Sequence, residues 1–108
     1  MNFDRDKCVV DENTSIREAL KKIDENHYGF VFSRNADGDI TGLATDGDIR
    51  RGLISGISLN DAILSCSNPD FIRASVDSSR EQLIKQLDSH IRFIPVFDNA
   101  QKLKYVVS

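Results

Sequence analysis

The sequence has no run of 18 or more apolar residues, and its opening stretch, MNFDRDKCVV, lacks the apolar core of an export signal. Neither a membrane-spanning helix nor a secreted protein is expected, so the chain reads as soluble and cytoplasmic. Cysteine is scarce. Cys8 and Cys66 lie far apart without Cys-x-x-Cys spacing, which argues against a disulfide framework and suits two buried thiols in a reducing compartment. Positive charge is not in excess: 14 Lys and Arg against 17 Asp and Glu leave a net charge of −3. A phosphate backbone needs a basic face, so nucleic acid is not an expected partner. No nucleophile motif or acid–base constellation stands out, and neither His27 nor His90 has further ligands at metal-binding spacing. The chain is therefore expected to be neither an enzyme nor a metal site.

What the sequence does have is an internal repeat. Its 108 residues, 40% apolar and 29% charged, suit one compact domain or two small units. Ser15-Ile16-Arg17-Glu18-Ala19-Leu20-Lys21-Lys22-Ile23 returns 64 residues later as Ser79-Arg80-Glu81-Gln82-Leu83-Ile84-Lys85-Gln86-Leu87. Both open with Ser-x-x-Glu/Gln, a capping box, and both place apolar residues on one helical face. Tyr28–Phe32 and Phe93–Phe97 follow as apolar strands, then the turns Asn35–Gly38 and Asp98–Gln101, then second strands at Ile40–Ala44 and Leu103–Val107. The offset falls to 63 in the last strand, which makes the first turn one residue longer than the second. Short extended stretches, Cys8–Val10 and Phe71–Ala74, open each copy. A second helix is predicted over 46–55 and a short one over 58–64. The expected architecture is α/β (α+β), with residues 1–57 as the first repeat, 58–70 as a connecting segment and 71–108 as the second repeat. A unit of this size cannot bury a core alone, so the two are expected to pack face to face.

One stretch carries chemistry: Gly42-Leu43-Ala44-Thr45-Asp46-Gly47-Asp48-Ile49-Arg50-Arg51. Thr45 is a good helix N-cap and Asp48 completes a capping box, while Asp46 and Asp48 suit the positive end of a helix dipole. Gly47 costs the first turn roughly 1 kcal/mol against alanine, so its presence wants a reason, and close approach of a ligand to the backbone is one. The strand-to-helix start offers a hydroxyl and free amides to a phosphate, with Arg50 or Arg51 to neutralise it. Asp48 is better suited to accept hydrogen bonds from ribose hydroxyls. A nucleoside monophosphate fits that balance of charge better than free phosphate. Cap and ligand site both remain readings of these residues. Asn35-x-Asp37-x-Asp39 lacks the glycine and glutamate of a calcium loop and reads as a hairpin turn.

With these residues in view, the chain resembles a CBS-domain pair, or Bateman module. The Ser-Ile-x-Glu-Ala-Leu helix start, Ile94-Pro95-Val96 and the Thr45–Arg51 stretch carry the likeness, which covers nearly the whole chain. It is most like the pairs fused to sugar-phosphate isomerases or sugar nucleotidyltransferases. The resemblance implies tandem strand–helix–strand–strand–helix repeats packed as a pseudo-twofold pair, regulating an attached C-terminal catalytic domain. It implies that Thr45 contacts phosphate and Asp48 ribose, with adenine in an apolar slot between the units at Tyr28, Gly29, Phe30 and Val31. AMP, ADP, ATP or adenosine would be the regulatory ligand, with no required cofactor, and the helices would form a homodimer. In the second copy Ser108 aligns with Thr45 and nothing aligns with Asp48, so at most one complete site is expected and the second repeat reads as truncated. The alternative function is a structural dimerisation module in which Thr45 is only a cap.

Overall fold

A computed structural model describes residues 2–87 and 93–107. In chain order its elements are β1 (Asn2–Phe3), β2 (Val9–Asp11), α1 (Ile16–Asn26), β3 (Phe30–Arg34), β4 (Ile40–Thr45), α2 (Asp46–Ile54), β5 (Ala74–Ser75), α3 (Arg80–Gln86), β6 (Ile94–Phe97) and β7 (Leu103–Val107). Short 3-10 turns occupy Arg5–Lys7 and Ile63–Cys66. The mixed α+β fold is the expected one. The chain divides into two units: Asp6–Phe71, and a second made of the residues through Arg5 together with those from Ile72 on. Segment 58–70 thus lies in the first unit, and the N-terminal strand in the second.

The first unit contains a three-stranded sheet in the order β2-β3-β4, with β2 parallel to β3 and β3 antiparallel to β4. Ile16, Ala19 and Ile23 recur along one face of α1 and are buried with Val31, Ala44, Ile49 and Ile63. Each of the larger aliphatic side chains removed from water contributes about 1.5–3 kcal/mol. The start of α1 departs from the expected capping box. Ser15 Oγ accepts the Glu18 N–H at 3.2 Å, but the Glu18 carboxylate turns outward to Lys21 Nζ at 3.2 Å. The free amides of the first turn are taken instead by segment 58–70: Ile16 N–H donates to Asp61 O and Arg17 N–H to Leu59 O. That backbone role also explains why the helix predicted over 58–64 is a turn at Ser58–Asp61 followed by the 3-10 turn. Its carbonyls serve α1 and so are not spent on a helix of their own.

The second unit has the sheet order β1-β7-β6-β5. Its hairpin repeats the first at a constant offset of 63: Arg34↔Ile40 and Phe97↔Leu103 are equivalent pairs, each beside a bulge. The turns are therefore of equal length, which corrects the expectation of a longer first turn. Asn35 Oδ1 accepts the amides of Asp37 and Asp39 at 3.0 Å, and Asp98 Oδ1 accepts those of Ala100 at 2.9 Å and Lys102 at 3.0 Å. Gly38 and Gln101 take the positive φ, 83° and 62°, that the shared turn requires. The missing residue lies earlier, between the start of α3 and β6. Strand β5 is shorter than β2 for a chemical reason. Phe32 N–H donates to Cys8 O at 2.6 Å, whereas its equivalent, Pro95, has no N–H to give.

Each sheet also has its third strand flanked by a segment from outside its own repeat. Asn2 and Phe3 pair with Val107 and Val106 of β7, and Asn68 exchanges both hydrogen bonds with Leu43 of β4. Leu43 and Val106 are equivalent positions. Gly42 makes the second contact feasible, since a Cβ there would lie 2.7 Å from Ser67 Cβ.

Candidate functional site

The site grows from the junction of β4 and α2. Thr45 leaves the strand with extended backbone (φ −93°, ψ 165°) and caps the helix. Its Oγ1 accepts the Asp48 N–H at 3.1 Å, and Asp48 Oδ2 accepts the Thr45 N–H at 3.1 Å, so the capping box is complete. Asp46 N–H donates to Gly29 O at 3.1 Å, which ties the helix start to the beginning of β3. The Gly47 N–H has no partner among the described residues. A helix start with one open amide beside a hydroxyl is an anion-binding arrangement.

Asp48 is more heavily engaged than the sequence suggests. Its second oxygen, Oδ1, accepts Arg51 Nη2 at 2.9 Å, with the Arg51 side chain 70% exposed and that of Asp48 28%. Arg51 folds back over Gly47, where a Cβ would stand 3.1 Å from Nη1 and 3.3 Å from Nη2. The glycine therefore has a structural reason that needs no ligand: it makes room for the guanidinium on Asp48. Arg50 is exposed and makes no ion pair among the described residues. Cys66 stands close enough for the Asp48 charge to act on it. Burial first, and Asp48 second, push its thiol above the ordinary value.

The expected adenine slot splits in the structure. Gly29, at φ +86°, shares a cleft of about 370 Å³ with Leu20, Ile23, Asp24, His27 and Asp46. Tyr28 lines a different hollow with Lys7, Lys22, Glu25 and Asn26. Phe30 and Val31 are fully buried. Phe30 lies between the rings of Tyr28 (6.0 Å) and Phe32 (5.5 Å), and Val31 belongs to the core. As placed, these two present no open side-chain surface. His27, absent from the expected site, ends α1 in the left-handed conformation (φ 60°) with its N–H on Ile23 O. His90 and Ser108, the counterparts of His27 and Thr45, lie outside the described residues. No group of three His, Cys, Asp or Glu that could hold a metal is found among the described residues. No helix among them is long and apolar enough to cross a membrane.

Comparison with known proteins finds likeness in one segment of the sequence and in the fold. Residues 4–55 match the family model described as CBS domain. An uncharacterised Helicobacter pylori protein is 31% identical over 55 residues, which is 51% of this chain and 17% of that protein. Among solved structures, the CBS domain protein of Pyrobaculum aerophilum complexed with AMP superposes with a TM-score of 0.80 at 19% identity, over 94% of this chain and 79% of that one. The CBS-pair protein CBSX2 of Arabidopsis thaliana gives 0.80 at 19%, over 99% and 84%. Identities this low establish the fold. Residues 4–55 thus resemble a CBS domain, and the chain has the fold of the CBS-domain structures it superposes on.

Proposed function

We propose that the chain is a regulatory CBS-pair module that binds an adenosine nucleotide, AMP-like at its core, through the start of α2. The observation that carries this reading is the helix start itself: the Thr45 hydroxyl and the open Gly47 amide sit side by side, one residue from the Gly29–Asp46 cleft. Thr45 and Gly47 hold the α-phosphate. Asp48 accepts the ribose hydroxyls, and Arg51, displaced from it, turns to the phosphate. Tyr28, Gly29, Phe30 and Val31 border the base, the last two through their backbone. The AMP held by the P. aerophilum relative supports the choice of adenine. Occupancy regulates an attached or partner enzyme, for which a sugar-phosphate nucleotidyltransferase or isomerase is the candidate, by favouring one arrangement of the protein over another. This chain itself carries out no catalysis.

The test is thermal shift with adenosine, AMP, ADP, ATP, GMP and nucleotide sugars on protein shown by mass spectrometry to carry no co-purified nucleotide. A ligand at 100 times its dissociation constant adds about 2.7 kcal/mol. The shift should vanish in Thr45→Val with Asp48→Ala. No shift with any ligand overturns the proposal. A dimerisation role is the second reading, favoured by Ile54 on α2 and Ile84 on α3, which are 79% and 55% exposed. It gains if Ile54→Lys or Ile84→Lys alters the mass in solution while no nucleotide binds.

A further inference from the structure

Because β2 and β3 run parallel and β4 antiparallel to them, the starts of β2 and β3 and the end of β4 meet at one end of the first sheet. That end carries Lys7 ahead of β2, Tyr28 and Gly29 ahead of β3, and Thr45 and Asp46 at the close of β4. On its β2 side lies the hollow of about 270 Å³ lined by Lys7, Lys22, Glu25, Asn26 and Tyr28. Asn26 pins its walls together: Nδ2 donates to Lys7 O at 2.8 Å, and Oδ1 accepts the Tyr28 N–H at 2.7 Å. Neither lysine ammonium has an ion-pair or hydrogen-bond partner among the described residues. The two ammonium groups come from different elements, the Arg5–Lys7 turn and α1, so the shared lining is made by the fold rather than by local sequence.

The opposite side of this sheet end is electrostatically contrary. The Gly29 cleft holds Asp24 and Asp46, two carboxylates that oppose any phosphate beyond the first. In the lysine hollow, Glu25 offsets one of the two positive charges and leaves a net charge of +1. Adjacent strands lie about 4.8 Å apart, so two strand spacings, about 10 Å, separate the β2 and β4 ends. A chain of two or three phosphates with a lysine reaching toward it spans that distance.

We infer that Lys7 and Lys22 form a subsite for the β- and γ-phosphates of an adenosine di- or triphosphate, so that the module distinguishes ATP and ADP from AMP. This rests on the proposal that Thr45 holds the α-phosphate. Glu25 limits the preference and Tyr28 forms the wall between base and phosphates.

Calorimetric titration with AMP, ADP and ATP tests it in the full chain, in Lys7→Gln with Lys22→Gln, and in Glu25→Gln. The wild type should bind ATP more tightly than AMP, with the steeper salt dependence. The double variant should lose about tenfold in ATP affinity while AMP stays within about twofold. Glu25→Gln should strengthen ATP binding. Equal affinity for ATP and AMP in the wild type overturns the inference and leaves the nucleotide reading standing. So does an equal loss of both ligands in the double variant. If neither the three nucleotides nor adenosine binds, the nucleotide reading falls and the subsite with it.

Discussion

Two glycines at the candidate site differ in what holds them there. Gly29 is glycine because of its backbone: φ is +86°, yet a Cβ would meet nothing within 4 Å. Gly47 has no such constraint and is crowded only by the movable end of Arg51. Opposite outcomes follow. Gly29→Ala forces an L-residue into left-handed space at about 1–2 kcal/mol and should lower Tm by about 5 °C or more. Gly47→Ala gains up to about 1 kcal/mol of helix propensity and loses an exposed ion pair worth a few tenths, so Tm should rise by about 2 °C. Thermal melts of the two variants check the pair of expectations. A fall for Gly47→Ala comparable to that of Gly29→Ala would mean that Arg51 on Asp48 holds more of the fold than its exposure allows. The sequence marks Gly47 as unusual but does not supply the reason, because a side chain four positions on can fold back or point away with the same letters.

At the scale of the element, the hairpin turns show how much a side chain can substitute for another. Asn35 and Asp98 perform the same two-amide capture in the two units. In Asp98 the amide of Lys102 acts most strongly and, with that of Ala100 and the nearby Lys104 and Lys102 charges, outweighs desolvation and draws the carboxyl below its ordinary value of 3.8. A carboxyl whose pKa is lower when folded adds stability above its unfolded value and loses it as pH falls through the folded one. Asp98→Asn keeps the acceptor and cannot titrate. Wild type should therefore melt above the variant near pH 6, and the two curves should converge below about pH 3.8. Parallel curves throughout would show that the carboxylate adds nothing to the turn.

The same hairpins mark where pattern reading succeeds and where it slips. Helix starts at Ser15, Thr45 and Ser79 and the strand Leu103–Val107 are legible, because caps and alternation are local signals. The similar letters of Tyr28–Phe32 and Phe93–Phe97 mislead by two residues, since apolar runs align with each other in several frames. Only cross-strand register resolves them. Phe30 and Val31 illustrate the same limit at the site: apolar letters in a central strand do not say whether they face a slot or the core.

Over the whole molecule, the least legible feature is the pairing of β1 with β7, because it joins residues about a hundred positions apart. Strand β1 is only Asn2–Phe3, too short to be announced by any pattern, yet it covers the β7 edge. Removing residues 1–5 should leave the first unit intact and weaken the second. In hydrogen exchange, the amides of Leu103–Val107 should lose protection while those of Phe30–Arg34 keep theirs. Uniform loss across both units, or none in β7, would contradict that division. The lysine hollow and the helix start also belong to this scale, since parallel β2 and antiparallel β4 bring them to one end of a sheet.

Edge pairing also orders events in time. A chain leaves the ribosome from its N-terminus, so Asn68 can close on Leu43 soon after Phe71 emerges, when every strand of the first sheet has been made. The strand partners of Asn2 and Phe3 come much later. Strand β1 can form only after about a hundred further residues have been made, when Val106 and Val107 arrive. The earliest strand in this sequence is thus among the last to be completed.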